Sequence, residues 1–458
     1  MRQFLREHYQ LLAFILLWVL VARFAAVLMY AVLPIGVFLF RRAGRWQDIL
    51  FGFIACLVFS DMIKGLPGMD VMKSAKSAYL LAMLMVLLAD QAQMKPLAKL
   101  FTIFLPFFAY AFLPIIVSPV PLVSIEKTVS YALLFLVVPN YVLHAFRLYG
   151  WGFFKNLIWF LVFLLLAQQL MRLAPDSNFY LMADRFRGFF GNPNGMAIFV
   201  YLSLVLFMVV NEVHPGLFSR SSSLFIYAVL VYYLITCGAR TALMASLMFV
   251  LFIQFFRISV FLGIISFIAF IGISELISNN LPAIITAMGL QEYLRVDTIS
   301  DGSGRYIAWN YAWGLINNDG YFLFGAGFEN EYYLMYKAYR YLSSLGHQGG
   351  VHNSYLAFWL NVGIVGLVIY LRSFVLVFIK AGKNTPVAMA VLFSVLFSIL
   401  YESWLAGSLN PYTILLLVIL TVMSEGEVIG SIAQAAGDPP DRELPEPAAP
   451  PPLILPAR

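Results

Sequence analysis

Apolar residues in this chain are gathered in blocks of about twenty separated by short polar breaks, from LLAFILLWVLVARFAAVLMYAVLPIGVFLF at 11–40 to PYTILLLVILTVMS at 411–424. A bilayer core about 30 Å thick is crossed by a helix of about 20 such residues. The blocks predict spans at 48–64, 74–90, 99–118, 127–146, 153–172, 190–211, 222–237, 240–256, 258–278, 353–379, 386–404 and 411–424. The block at 11–40 reads as one long helix or two short ones. The fold class that follows is all-α: a polytopic transmembrane helical bundle of about 12–14 spans. Residues 1–278 hold its N-terminal helices, 353–424 its C-terminal helices, and 279–352 one large loop with short helices. The tail at 425–458 is rich in proline and is expected to be extended and disordered.

Composition agrees with the pattern. The 458 residues are 62% hydrophobic and 11% charged, with a mean hydropathy of +0.86, which excludes a soluble domain. The formal charge of +6 raises the question of nucleic acid, but the basic residues stand in ones and twos between spans and read as orientation signals. Arg41, Arg42 and Arg45, then Lys95 and Lys99, then Arg147 and Lys155, then Lys380 and Lys383 all fall on one side, which the positive-inside tendency makes cytoplasmic. An even span count would put Arg2 and Arg6 inside as well and favours splitting 11–40 around Arg23. The N-terminal apolar run lacks a small-x-small cleavage site and reads as a retained first span. Cys56 and Cys237 lie in or beside spans and give neither a disulfide framework nor a zinc-ligand spacing.

The opposite side receives the segments with chemistry: DRFRGFFGNPNG (184–195), CGAR (237–240), the polar stretch from 279 to 352, and YESWLAGSLNP (401–411). A connection of that length is too long to be passive and is expected to fold over the membrane surface. Within it Arg305, Trp309 and Trp313 share one helical face, with a cap at Asp301 or Ser303. That face reads either as an interfacial helix with tryptophan anchors or as one that points Arg305 at an anionic head group. The tyrosines at 332, 333, 336, 339 and 341 suit sugar rings as well as a lipid interface.

At VHNSYLAFW, Asn353 or Ser354 can cap the helix that begins there. His352 just before it is a natural proton acceptor at neutral pH. Arg240 has apolar sequence on both sides, where a charge near the membrane core costs about 2.5–3.5 kcal/mol and calls for a partner. Arg187 precedes the turn Gly191–Asn192–Pro193–Asn194. Guanidinium groups bind phosphate oxygens bidentately, so arginines converging at one level suit a pyrophosphate, although each can instead snorkel or pair with a carboxylate such as Asp184. Asp297 with Asp301 makes only a weak metal site, and Glu402 is expected to pair with an arginine rather than to be catalytic.

The spaced set FRGFFGNPNG, GARTA, SGR with a following tryptophan, GAG and VHNSYLAFWLNVGIVGL, over about residues 185–410, resembles the bacterial O-antigen ligase and Wzy-type polysaccharide polymerase superfamily. The resemblance implies a glycosyltransferase of the GT-C kind in the bacterial inner membrane, with its site on the periplasmic face. It implies no metal and no cofactor. Its partners are an undecaprenyl-pyrophosphate-linked glycan as donor, and lipid A core or a second lipid-linked glycan as acceptor. Arg240 and Arg305 match the arginines assigned to the pyrophosphate and His352 the residue assigned to acceptor activation, with Arg187 and Asn194 as further matches and Asn353 in support. A flippase or exporter of lipid-linked glycans is the alternative from another class; it calls for ionisable residues in mid-span, whereas here they gather at span ends. An acyltransferase is a further enzyme alternative.

Overall fold

The computed structural model describes residues 1–61, 69–174, 176–270, 287, 305–347, 349–382, 385 and 387–429. The helices in chain order are α1 (Arg2–Glu7), α2 (Tyr9–Phe24), α3 (Met29–Arg42), α4 (Trp46–Ser60), α5 (Met72–Ala89), α6 (Gln91–Met94), α7 (Leu100–Tyr110), α8 (Pro121–Tyr149), α9 (Trp151–Ala167), α10 (Pro193–Val213), α11 (Arg220–Cys237) and α12 (Arg240–Ile258). They continue with α13 (Val260–Phe270), α14 (Arg305–Asn318), α15 (Asn330–Lys337), α16 (Tyr339–Ser344), α17 (Ser354–Gly382), α18 (Val387–Tyr401) and α19 (Pro411–Ser424). The only strands among the described residues are β1 (Leu181–Met182) and β2 (Arg185–Phe186), an antiparallel pair. The expected all-α polytopic bundle is what the chain forms.

Among the described residues, eight helices are long and apolar enough to cross a membrane, and α2, α4, α13, α18 and α19 are shorter apolar helices. The block at 11–40 is two helices, broken at Ala25 just after Arg23. Helices α10 and α19 are buried on nearly every face, the pattern of a helix apolar all round. The outer helices α2, α5, α11 and α12 instead expose large apolar side chains such as Leu16, Leu88, Leu224 and Leu251. Both cysteines are buried and free. The end of the 258–278 block, Lys383, Asp297, Asp301, Ser303 and the tail beyond 429 lie outside the described residues.

Polar side chains collect at the two ends of the bundle. At one end, Arg147 binds Glu427 through Nε and Nη2 at 2.6 and 2.7 Å. Arg41 binds Asp90 there, and the Lys99 backbone N–H donates to Glu425. The basic residues Arg41, Lys99 and Arg147 thus share a face, as the sequence predicts. At the other end lie the starts of α10, α12, α14 and α17 and the end of α18.

Helix α17 is not continuous. Gly363 breaks it with φ 68° and ψ 177°, and the stretch 322–327 of the long loop fills the break with backbone hydrogen bonds. Ala326 N–H donates to Leu360 O (2.9 Å), Gly327 N–H to Asn361 O (2.7 Å) and Ile364 N–H to Phe322 O (2.9 Å). A Cβ on Gly363 would lie 2.1 Å from Leu323 O, and one on Gly325 would lie 2.4 Å from Gly363 N, so both positions need glycine. Gly366 permits a close helix contact, with Tyr110 of α7 at 2.8 Å from the place of a Cβ. The loop therefore does more than cover a surface. Its described helices α14–α16 pack a small core of their own from Ala308, Ala312, Met335, Leu342 and Val351.

Candidate active site

Four chain segments meet at Glu402, the buried residue that follows α18. Asn194, in the first turn of α10, donates through Nδ2 to Glu402 Oε1 at 3.0 Å. Arg305, the first residue of α14, donates through Nη2 to the same oxygen at 2.8 Å. His352 Nδ1 lies 3.4 Å from Oε2. Ser354, opening α17, donates its hydroxyl to the Glu402 carbonyl at 2.8 Å. A buried carboxylate requires such donors, and a guanidinium partner makes the contact charge-assisted.

Local sequence explains how each arm is aimed. Asn192 caps α10 by accepting from Gly195 N–H at 2.7 Å, with Pro193 at the first helical position. A Cβ on Gly195 would lie 2.2 Å from Tyr412 Oη. Its absence lets the Tyr412 hydroxyl donate to Asp61 at 2.8 Å. Burial raises the Asp61 carboxyl to about 6, with the Tyr412 hydrogen bond and the charge of Lys76 pulling the other way. Asn353 caps α17, its Oδ1 accepting from Leu356 N–H at 3.1 Å. The face of α14 that carries Arg305 docks on the bundle: Trp309 donates Nε1–H to Val351 O at 3.0 Å, and the Trp313 ring meets Trp359 edge-on at 5.2 Å.

His352 sits at φ 50°, the left-handed region, which costs a residue other than glycine about 1–3 kcal/mol and persists where surroundings enforce it. Glu331 and Asn361 supply those surroundings. Val351 N–H donates to Glu331 Oε1 at 3.1 Å, and Glu331 N–H donates in turn to Asn361 Oδ1 at 2.9 Å. Burial raises the Glu331 carboxyl above its usual range, while the Val351 N–H and His352 draw it down. With Nδ1 toward Glu402, the other ring nitrogen points away from it: a Cβ on Gly349 would lie 2.9 Å from Nε2. A carboxylate at Nδ1 favours the tautomer that leaves Nε2 as the acceptor.

The predicted arginines divide. Arg305 is at the cluster. Arg240 begins α12, which packs along α18 with Phe256 against Phe393; this antiparallel course brings Arg240 to the Glu402 end, where it is half-buried. Arg187 instead directs its guanidinium to loop carbonyls, Gly191 O at 3.2 Å and Asn178 O. The arginine that reaches the cluster from this segment is Arg185, whose Nη1 donates to Asn194 Oδ1 at 3.0 Å. Sequence reasoning passed over Arg185 and Asp61, whereas Glu402 pairs with an arginine, Arg305, as expected. A signal for Glu402 existed, as a lone carboxylate at the end of a late span. Among the described residues no group of three His, Cys, Asp or Glu side chains could hold a metal ion.

Fold and cluster together define a polytopic membrane protein with a histidine, a buried carboxylate and several arginines at one end of its bundle. Residues 219–371 match the family model described as O-antigen ligase. The match bears out the resemblance to the O-antigen ligase and Wzy-type superfamily and supports a membrane glycosyltransferase of the ligase or polymerase type as the general class. It includes Arg240, Arg305, His352 and the break at Gly363, and leaves Arg185, Asn194 and Glu402 outside. A search of curated proteins gives no match.

Proposed function

We propose that the protein transfers a glycan from an undecaprenyl-pyrophosphate donor to a hydroxyl acceptor, without a metal, on the periplasmic face of the bacterial inner membrane. The observation that carries the reading is the convergence of Arg305, Asn194 and His352 on Glu402. As the acceptor oxygen bonds to the sugar C1, the C1–O bond to the pyrophosphate breaks and its electron pair leaves with the lipid pyrophosphate. Arg305 and Arg240 meet the charge developing there. His352 Nε2 takes the hydroxyl proton, and Glu402 orients the ring and stabilises the imidazolium. Arg185, through Asn194, adds positive charge beside the same site, and Asn353 fixes the helix start that presents His352. Lipid A core as acceptor makes the protein a ligase; a second lipid-linked glycan makes it a polymerase.

The test is transfer of a labelled lipid-linked glycan by purified protein with EDTA present, alongside Glu402→Gln. Wild type is expected to form product at an unchanged rate in EDTA, as a ladder or as a single lipid A adduct. Glu402→Gln should lower kcat about 10–100-fold with donor KM within twofold. No product with either acceptor, while vesicles holding the protein still move the lipid-linked glycan across the bilayer, makes it a transporter instead.

A further inference from the structure

Beyond Gly349, the residue beside His352 Nε2, lies a groove that the chemistry at the donor does not use. Helices α15 and α16 and the turn at Gly349–Gly350 enclose about 620 Å³, the size of a small-molecule site. Tyr332, Tyr333, Tyr336 and Tyr339 line it and are 38–68% exposed. The rings of Tyr332 and Tyr336 lie 6.2 Å apart and within 18° of parallel. Lys337 and Arg340 line it too, both exposed, and no carboxylate is among the lining residues. Gly349 forms the rim next to His352, where a Cβ would lie 2.9 Å from Nε2.

Tyrosine rings offer an apolar face to the C–H face of a sugar and a hydroxyl to its edge, and an ammonium beside a guanidinium selects for carboxylate or phosphate. Tyrosines that only marked a membrane interface would form a belt; these wall a groove whose rim, at Gly349, stands beside the His352 ring. We propose that the groove binds the acceptor, and that the acceptor is an acidic glycan whose carboxylate or phosphate groups meet Lys337 and Arg340. This rests on the transferase reading above. It makes the groove the source of acceptor choice, while the Glu402 cluster handles the donor.

The test uses the full chain in phosphatidylcholine nanodiscs, with Tyr332→Ala/Tyr336→Ala and Lys337→Gln/Arg340→Gln, all at exposed positions. Tetragalacturonate and neutral maltotetraose are titrated by thermophoresis, and transfer kinetics are measured in parallel. Wild type is expected to bind tetragalacturonate at least tenfold more tightly than maltotetraose. The tyrosine variant should lose both at least tenfold, and the Lys/Arg variant only the acidic one. Acceptor KM should rise at least tenfold in both variants, with kcat and donor KM within twofold. If wild type transfers glycan but the variants keep its acceptor KM, the groove is not the acceptor site and the transferase reading stands. If wild type transfers nothing yet the variants lose tetragalacturonate, the transferase reading fails and the acceptor role falls with it. Tetragalacturonate binding that disappears in phosphatidylglycerol nanodiscs, with acceptor KM unmoved by either variant, makes the groove a lipid surface.

Discussion

At the end of the bundle that gathers the basic loops, the arginines that tie helices together have carboxylates of their own. Arg41 faces Asp90, Arg147 faces Glu427, Arg257 faces Glu212, and Arg45 shares the buried Asp48 only with His8. At the other end, Glu402 alone takes Arg305, Asn194 and His352, and Arg185 reaches Asn194 behind them. Matched pairs neutralise and fasten. At Glu402 one carboxylate instead gathers donors from several segments of the chain. One arrangement fastens two helices at a time; the other draws several helix ends to a single point.

The comparison can be broken most sharply at His352. His352→Ala is expected to lower kcat about 10²–10⁴-fold with an unchanged thermal midpoint in detergent; a falling midpoint with kcat intact would make His352 structural. At the opposite end the outcome should reverse. Asp48→Ala strips the buried acceptor from both His8 and Arg45 and should cost about 3–5 kcal/mol of stability, with transfer per folded molecule within twofold.

Asp61 tests the support beneath the site. Its carboxyl is raised from 3.8 to about 6, so between those values the folded chain holds a proton that the unfolded chain has released. Stability contributed by this group therefore falls as pH rises through that window and is level above it, a difference of up to about 3 kcal/mol. Asp61→Asn should remove the slope, read as the denaturation midpoint between pH 4 and 7. The smallest effect is expected from Arg147→Ala, at most about 1 kcal/mol for a partly exposed pair, measured by the same denaturation.

The spans and the gathering of polar loops at two ends were legible in the sequence because hydropathy is local and helix length is set by the bilayer. That Glu402 pairs with an arginine was legible too, but which arginine, and that Asn194 and His352 join it, was not. The cluster joins residues 194, 305, 352 and 402 across helices whose neighbours no local pattern specifies. The choice between Arg185 and Arg187 turned on the hairpin between them and α9. Its two-residue loop, Ala183 and Asp184, has φ of 51° and 61°, a geometry usually announced by Asn-Gly or Asp-Gly. Ala-Asp gives no such notice, so which arginine meets Asn194 could not be read. The glycines at 325 and 363 were visible, but their use, a loop segment completing a broken helix, depends on residues far apart in sequence.

That completed helix divides the long loop into two closed rings. Each is fastened at both ends: the first where Arg305 meets Glu402 and where 322–327 enters the break, the second there and at the start of α17. Side chains can change within 332–340 while Glu331, which holds Val351 and so His352, is kept. On the proposed acceptor role of the groove, preference would diverge between related chains there while the reacting groups stay fixed, and an exchange of 332–340 is the smallest graft that should carry a preference with it.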